Sequence, residues 1–283
     1  MYIELNTNEL YGRNLTAGAL DVMGQYYSVA SSSHAFYNYG GLVYTGNDEK
    51  ALFDNMWQKC YAVIACCNTI IEKCDENKAG LSPVWRGSIK GEALALRAML
   101  HFDMLRLFGP LTSELDKESI PYQTNSDQTV TPLLSGSEVV GLILDDLKNA
   151  VGLLKDTDPY FVEEEFSDTD LNYRRFRMNY FAAKGLMARV QLWGGDKEKA
   201  AATAKEVIAE GQAEGAEFFP FVTNSEATSS NPDRVFYSEV LFGTYHSSRE
   251  KLHEDLFAPT LESTSILTCL LYTSDAADEL DGV

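Results

Sequence analysis

The chain has 283 residues, enough for one large domain or two ordinary ones, and its 45% hydrophobic and 23% charged residues are the balance of a soluble globular protein. A net charge of −19 repels phosphate backbones and anionic headgroups, which argues against nucleic-acid binding and electrostatic docking on membranes. No run approaches the ~20 consecutive apolar residues of a membrane span, and the opening MYIELNTNELYGRN has neither the basic nor the apolar region of a signal peptide. Such an opening fits a cytoplasmic protein or a sequence that begins partway in.

Ahead of the first long helix, Tyr26, Tyr27, Phe36, Tyr37, Tyr39 and Tyr44 crowd into a glycine-bearing stretch that also carries Asn38 and Asn47. Ring faces, amides and hydroxyls on a loop suit carbohydrate, whose C–H face packs on a ring while its hydroxyls find donors and acceptors. The other reading is that these rings pack the loop onto the helices. Tyr37, Asn38, Tyr39 and Tyr44 are the candidate ligand-binding residues.

From Asp48 to Cys74, Leu52, Met56, Trp57, Cys60, Tyr61, Ile64, Cys67 and Ile71 recur at three- and four-residue steps, which predicts a helix. A second helix is predicted from about Val84 to Phe108, stopped by Gly109-Pro110, and the two should form an antiparallel hairpin. Cys60, Cys67 and Cys74 share one helical face with neighbours ~10 Å apart, too far for a disulfide and wrongly spaced for zinc. The cysteine cluster therefore reads as small buried apolar residues.

Thr112 to Thr131 is polar and predicts a long surface loop containing Ile120-Pro121-Tyr122. Ser137 is expected to cap a helix to about Leu154, and Asp156 to Asn172 reads as another loop, with Glu163, Glu164 and Glu165 in it. Helices from about Phe176 to Trp193 and from Lys197 to Glu210 flank a Gly194-Gly195-Asp196 turn. The small residues Ala182, Ala183, Gly185 and Ala188 give this pair a tetratricopeptide-like character, although no strict repeat runs along the chain. Arg234 to Gly243 reads as a short strand or extended segment. CLLYTSDAADE resembles translated sequencing-adaptor read-through, so residues 1–266 are expected to form the helical domain and 267–283 a non-native tail.

Catalytic chemistry finds little support. No GxSxG, GxGxxG, phosphate-binding loop or HExxH spacing occurs, and His101, inside an apolar helix, reads as a structural histidine. Asp168-Thr-Asp170-Leu-Asn172 begins like a calcium loop, yet Tyr173 and Asn179 stand where that loop needs Gly and Glu. Glu92, beside Arg97, reads as half of an internal charge pair. No cofactor is expected.

Together these segments resemble the SusD/RagB family. The pattern Trp57, Tyr61, Ile64, Cys67, Asn68, Ile71 is similar to its first signature helix, and Gly91-Glu92-Ala93, Arg97-Ala98, Phe102 and Gly109-Pro110 to its most distinctive block. Ile120-Pro121, Ile143 with Asp146-Leu147 and Ala150, the block from Ala182 to Ala200, and Ser238 to Phe242 follow in the family's order. The resemblance implies a mainly α fold, with tetratricopeptide-like helix pairs and long ligand-binding loops. It further implies a non-catalytic glycan-binding lipoprotein, anchored at the outer face of the outer membrane by an N-terminal lipid. Its expected partner is a TonB-dependent transporter of the SusC type. The family's signal and anchoring cysteine are absent, and the chain falls short of the family's usual length, so a fragment is expected. The alternative is a helical-repeat scaffold holding a protein partner, and a third is a glycoside hydrolase with two carboxylates facing one cleft.

Overall fold

The computed structural model describes residues 1–127, 129–213 and 216–269. The chain divides into two compact units, one built from Met1–Val63 with the chain from Thr244 on, the other from Ile64–Gly243. The fold is mainly α, as expected. Its long helices are α1 (Asn47–Glu76), α2 (Pro83–Phe108), α3 (Gly136–Thr157), α4 (Tyr180–Trp193) and α5 (Lys197–Gly211).

In the second unit, the later turns of α1 and the whole of α2 form the predicted antiparallel hairpin. Lys90 pairs with Asp75 near the turn, and farther along Arg97 Nη1 donates to Asn68 Oδ1 at 2.8 Å. Ser82 caps α2 by accepting from Trp85 N, with Pro83 in the first turn, where its missing N–H costs nothing. Helix α2 is buried on nearly every side, which its run of Ala, Leu and Gly permits. Close approach to α3 depends on two glycines one turn apart. A Cβ on Gly91 would lie 2.7 Å from Leu154 Cγ, and one on Gly87 2.6 Å from Thr157 Cγ2.

Helix α3 starts earlier than the sequence reading placed it. Ser135, not Ser137, is the cap, and Glu138 returns the bond to the Ser135 backbone in a capping box. Only Ser135 has a glutamate three residues on, so only it can close the reciprocal pair. The polar stretch before it contains structure that composition hid. Glu118–Pro121 pairs antiparallel with Leu133–Ser135, and Ile120 and Tyr122 are buried. The α4–α5 pair follows the expectation, with Asn179 capping α4, Asp196 capping α5 and Gly195 at φ 93° in the turn. Phe176, the expected start of α4, instead closes a 3₁₀ turn, Arg174–Phe176. The short strand or extended segment expected at Arg234 to Gly243 carries a 3₁₀ turn at Tyr237–Glu239, where Asp233 captures the N–H groups of Val235 and Tyr237, and is extended again at Val240.

Two buried charge networks tie this unit together. Arg97 makes a bidentate pair with Asp146 of α3, and the Tyr122 hydroxyl donates to Asp146 Oδ2 at 2.6 Å. Asn68 Nδ2 in turn holds the carbonyls of Gln123 and Asn125. His101 is fully buried and stacks on Tyr122 with ring centroids 3.9 Å apart. Its Nε2 accepts from Gln123 N at 3.0 Å, so Nδ1 carries the proton and donates to the Arg97 carbonyl at 2.9 Å. The expected pairing of Glu92 with Arg97 is corrected. Glu92 pairs with Arg174, which also makes a bidentate pair with Asp158. Arg97 is already engaged by Asp146, which is why the nearer arginine in sequence is not the partner.

The first unit has its own core, formed by Ala19, Val22, Phe36, Tyr39, Leu256 and Leu267. Both ends of the described chain contribute. Asn6 Nδ2 donates to the Tyr245 carbonyl at 2.8 Å, and His246 Nε2 donates to that of Gly12 at 3.0 Å. Of the tail read as non-native, residues 270–283 lie outside the described residues. Leu267 is buried, and Thr268–Cys269 pairs antiparallel with Tyr27–Ser28.

Candidate functional site

The aromatic stretch before α1 folds around a single helical turn, Tyr37–Gly40. Residues two apart on a helix point ~200° apart, and the turn sorts its side chains accordingly. Tyr37 is 43% exposed and Tyr39 only 2%. Tyr37 and Asn38 line an open concavity of about 420 Å³ together with Gln25, Tyr27, Ser28 and Val43. Gln25 positions the far end of the turn, its Nε2 donating to the Gly40 carbonyl at 3.1 Å. Asn38 Nδ2 donates to Glu49 Oε1 at 2.9 Å; a carboxylate only accepts, so this contact sets which way the amide faces.

Tyr39 and Tyr44 serve differently from the expectation that all four residues meet a ligand. Tyr39 sits edge-on to Phe36 at 5.9 Å and to Phe53 of α1 at 6.0 Å, while Tyr44 meets Phe53 at 5.5 Å and 87°. Burial, with the charges of Glu49 and Asp48 adding to it, pushes the Tyr39 hydroxyl up to about 12. These two rings fasten the loop to α1, and the packing reading holds for them. Tyr37 and Asn38 are instead exposed and line the concavity. Gln25 and Ser28 escaped the sequence reading, since a lone polar residue outside any motif carries no signal of its own.

Elsewhere the chemistry-bearing residues have structural work. Burial lowers His101 to about 3, so its imidazole is neutral at ordinary pH. Asp168–Asn172 forms a helical turn capped by Ser167, and Asp170 bonds back to that cap. Among the described residues no three His, Cys, Asp or Glu side chains gather as a metal site needs. Cys60, Cys67 and Cys74 are buried, as their shared face predicted, whereas Cys66, about 100° round the helix from Cys67, is exposed. No helix among the described residues is long and apolar enough to cross a membrane.

Comparison with known proteins agrees with the architecture. The SusD-like family model described as starch-binding associating with outer membrane matches residues 16–192. A SusD-like protein of Bacteroides ovatus is 30% identical over 146 residues, which are 50% of this chain and 23% of that protein. SusD-like protein P38 of Formosa agariphila is 34% identical over 96 residues, or 33% of this chain and 17% of that one. The matched stretches thus span less than a quarter of either relative. Among solved structures, a SusD superfamily protein of Bacteroides thetaiotaomicron aligns with a TM-score of 0.67 at 20% identity, covering 98% of this chain and 59% of that one. A structure described as containing xylogluco-oligosaccharide aligns at 0.53 and 22% identity, over 80% of this chain and 40% of that one. With the family model covering well over half of its length, the chain belongs to the SusD-like family, whose description is that of starch-binding proteins associated with the outer membrane.

Proposed function

We propose that the chain binds glycan without cleaving it, as part of a nutrient-uptake protein held at the outer face of the outer membrane by a lipid. Its partner is a TonB-dependent transporter that receives the captured sugar. The observation that carries this reading is the pairing of Tyr37 and Asn38 on the wall of one concavity. The ring offers an apolar face for the C–H side of a sugar. The Asn38 amide, with its NH₂ turned to Glu49, offers its Oδ1 to a sugar hydroxyl. The family's description and the relative solved with an oligosaccharide point to the same ligand class. Ring stacking and hydrogen bonding hold a sugar without acting on it, so recognition is the chemistry the arrangement suits.

The test is affinity electrophoresis of the chain against neutral polysaccharides, with soluble starch and xyloglucan among them. Retardation of the wild type is expected, reduced when Tyr37→Ala and Asn38→Ala are combined. Release of reducing ends during incubation, or no retardation by any polysaccharide, would overturn the proposal. Co-purification with a transporter expressed from a neighbouring gene tests the partner.

A further inference from the structure

The second unit has a concavity of about 580 Å³ between the loop after α5 and the turn at Tyr237, lined in part by Arg175, Ser225, Ser229, Asn231, Asp233 and Tyr237. Its charged groups are engaged in building the wall. Arg175 donates to the carbonyls of Tyr237 at 2.7 Å and Phe218 at 2.8 Å, and its guanidinium lies over the Tyr237 ring, 4.9 Å from the centroid. Asp233 accepts from Val235 N at 3.0 Å and Tyr237 N at 2.7 Å. Glu226 closes the capping box of Thr223.

That turn is held in an unfavourable backbone state. Phe236 has φ 50° and ψ 53°, a left-handed conformation that a bulky aromatic residue rarely adopts. Strain of this kind persists where surrounding bonds over-determine it, and it clusters at ligand clamps. Here the Asp233 bonds supply the over-determination, and the result is a Tyr237 side chain 40% exposed on the concavity.

The groups left unengaged define the ligand. Ser225, Ser229 and Ser238 hydroxyls and the Asn231 amide line the space, and no side-chain hydrogen bond joins any of them to another described residue. An anion would meet the carboxylates of Asp233 and Glu226, and a cation would meet Arg175. A neutral polyhydroxylated molecule meets hydroxyls, an amide and a ring, which match it in donors, acceptors and apolar face.

We infer that this concavity is a second glycan-binding surface, built entirely within the second unit and independent of the Tyr37 loop. The inference rests on the reading of the chain as a glycan binder, and blocking variants separate the two. Ser229→Trp fills the concavity from an exposed position. Combining Asn231→Ala with Ser238→Ala removes hydrogen-bond partners without adding bulk, and circular dichroism verifies the fold of each variant. Affinity electrophoresis with soluble starch and xyloglucan is the readout. Expected is residual retardation of the Tyr37→Ala, Asn38→Ala protein that disappears when Ser229→Trp is added, and a partial loss with Asn231→Ala and Ser238→Ala. A retarded wild type whose mobility neither set of second-unit changes alters, in either background, overturns this inference and leaves the Tyr37 site standing. Loss through Ser229→Trp with no effect of the Tyr37 and Asn38 changes supports this surface and removes the loop site. A wild type that no polysaccharide retards removes both.

Discussion

Arg97 on α2 and Asp146 on α3 face each other fork to fork, Nε to Oδ2 and Nη2 to Oδ1 at 2.7 Å each, with 7% and 9% of their side chains exposed. Each charge is tolerable inside only because the other is there, and Asn68 and Tyr122 complete the hydrogen bonding. Removing one partner leaves an uncompensated buried charge, so Arg97→Ala or Asp146→Ala should destabilise the second unit by roughly 3–5 kcal/mol. Replacing both with apolar residues of similar volume should cost less than either single change. Denaturant melts of the three variants check this ordering.

The glycine contact between α2 and α3 makes a second prediction. With a Cβ at position 91 placed 2.7 Å from Leu154 Cγ, Gly91→Val must push the two helices apart or force Leu154 off its rotamer. Such overpacking costs about 1–3 kcal/mol. Combining Gly91→Val with Leu154→Ala should cost less than the sum of the two single changes, because the added methyls occupy part of the space that the leucine leaves. Thermal melts of the single and double variants are the measurement.

His101 ties stability to pH. Burial lowers its folded-state value to about 3, against about 6.5 in an unfolded chain. Above about 6.5 both states are neutral there, and its contribution is fully present. As pH falls from about 6.5 towards 3, the unfolded state takes up a proton that the folded state refuses, so stability drops by up to about 1.4 kcal/mol per pH unit. His101→Gln should be less stable at neutral pH but show a shallower decline over this window. Unfolding free energies at several pH values for both proteins decide the point.

Tyr37 and Tyr39 should respond to truncation very unequally. Tyr39→Ala leaves a hole among Phe36, Tyr44 and Phe53 and should cost roughly 3 kcal/mol or more. Tyr37→Ala, at an exposed position, should change stability by no more than about 0.5 kcal/mol. Equal effects on melting temperature would contradict the sorting of the loop into a displayed ring and a packed one.

Thiol labelling reads the α1 faces directly. Burial pushes the Cys67 thiol up to about 12, and Cys60 and Cys74 are buried alongside it. In the native protein an alkylating reagent at neutral pH should modify Cys66 and Cys269 and spare these three. Peptide mass spectrometry distinguishes Cys66 from Cys67, and denaturant should expose all five.

The residues through which the sequence resembles its family prove to be largely those of the frame. Asn68, Glu92, Arg97 and Asp146 all belong to buried polar networks, and Gly91 is the contact glycine. That is why the fold was legible while the candidate ligand residues could be named only as an unsorted group of four. A buried arginine or a contact glycine has few substitutes and leaves a recognisable pattern, whereas a displayed tyrosine on a loop is one of many in this chain.

Local chemistry, read from the sequence alone, was enough to place the long helices to within a few residues, because apolar spacing and the Gly109-Pro110 and Gly194-Gly195-Asp196 breaks act within a turn or two of chain. The partners of charges could not be read that way. Glu92 meets Arg174, 82 residues away, and only packing brings them together and tells Glu92 that Arg97 is taken. The same holds for the aromatic loop, where one helical turn at Tyr37–Gly40 sends neighbouring tyrosines to opposite sides. Which side faces water was decided by the core that Val22, Phe53 and Leu256 assemble from distant parts of the chain.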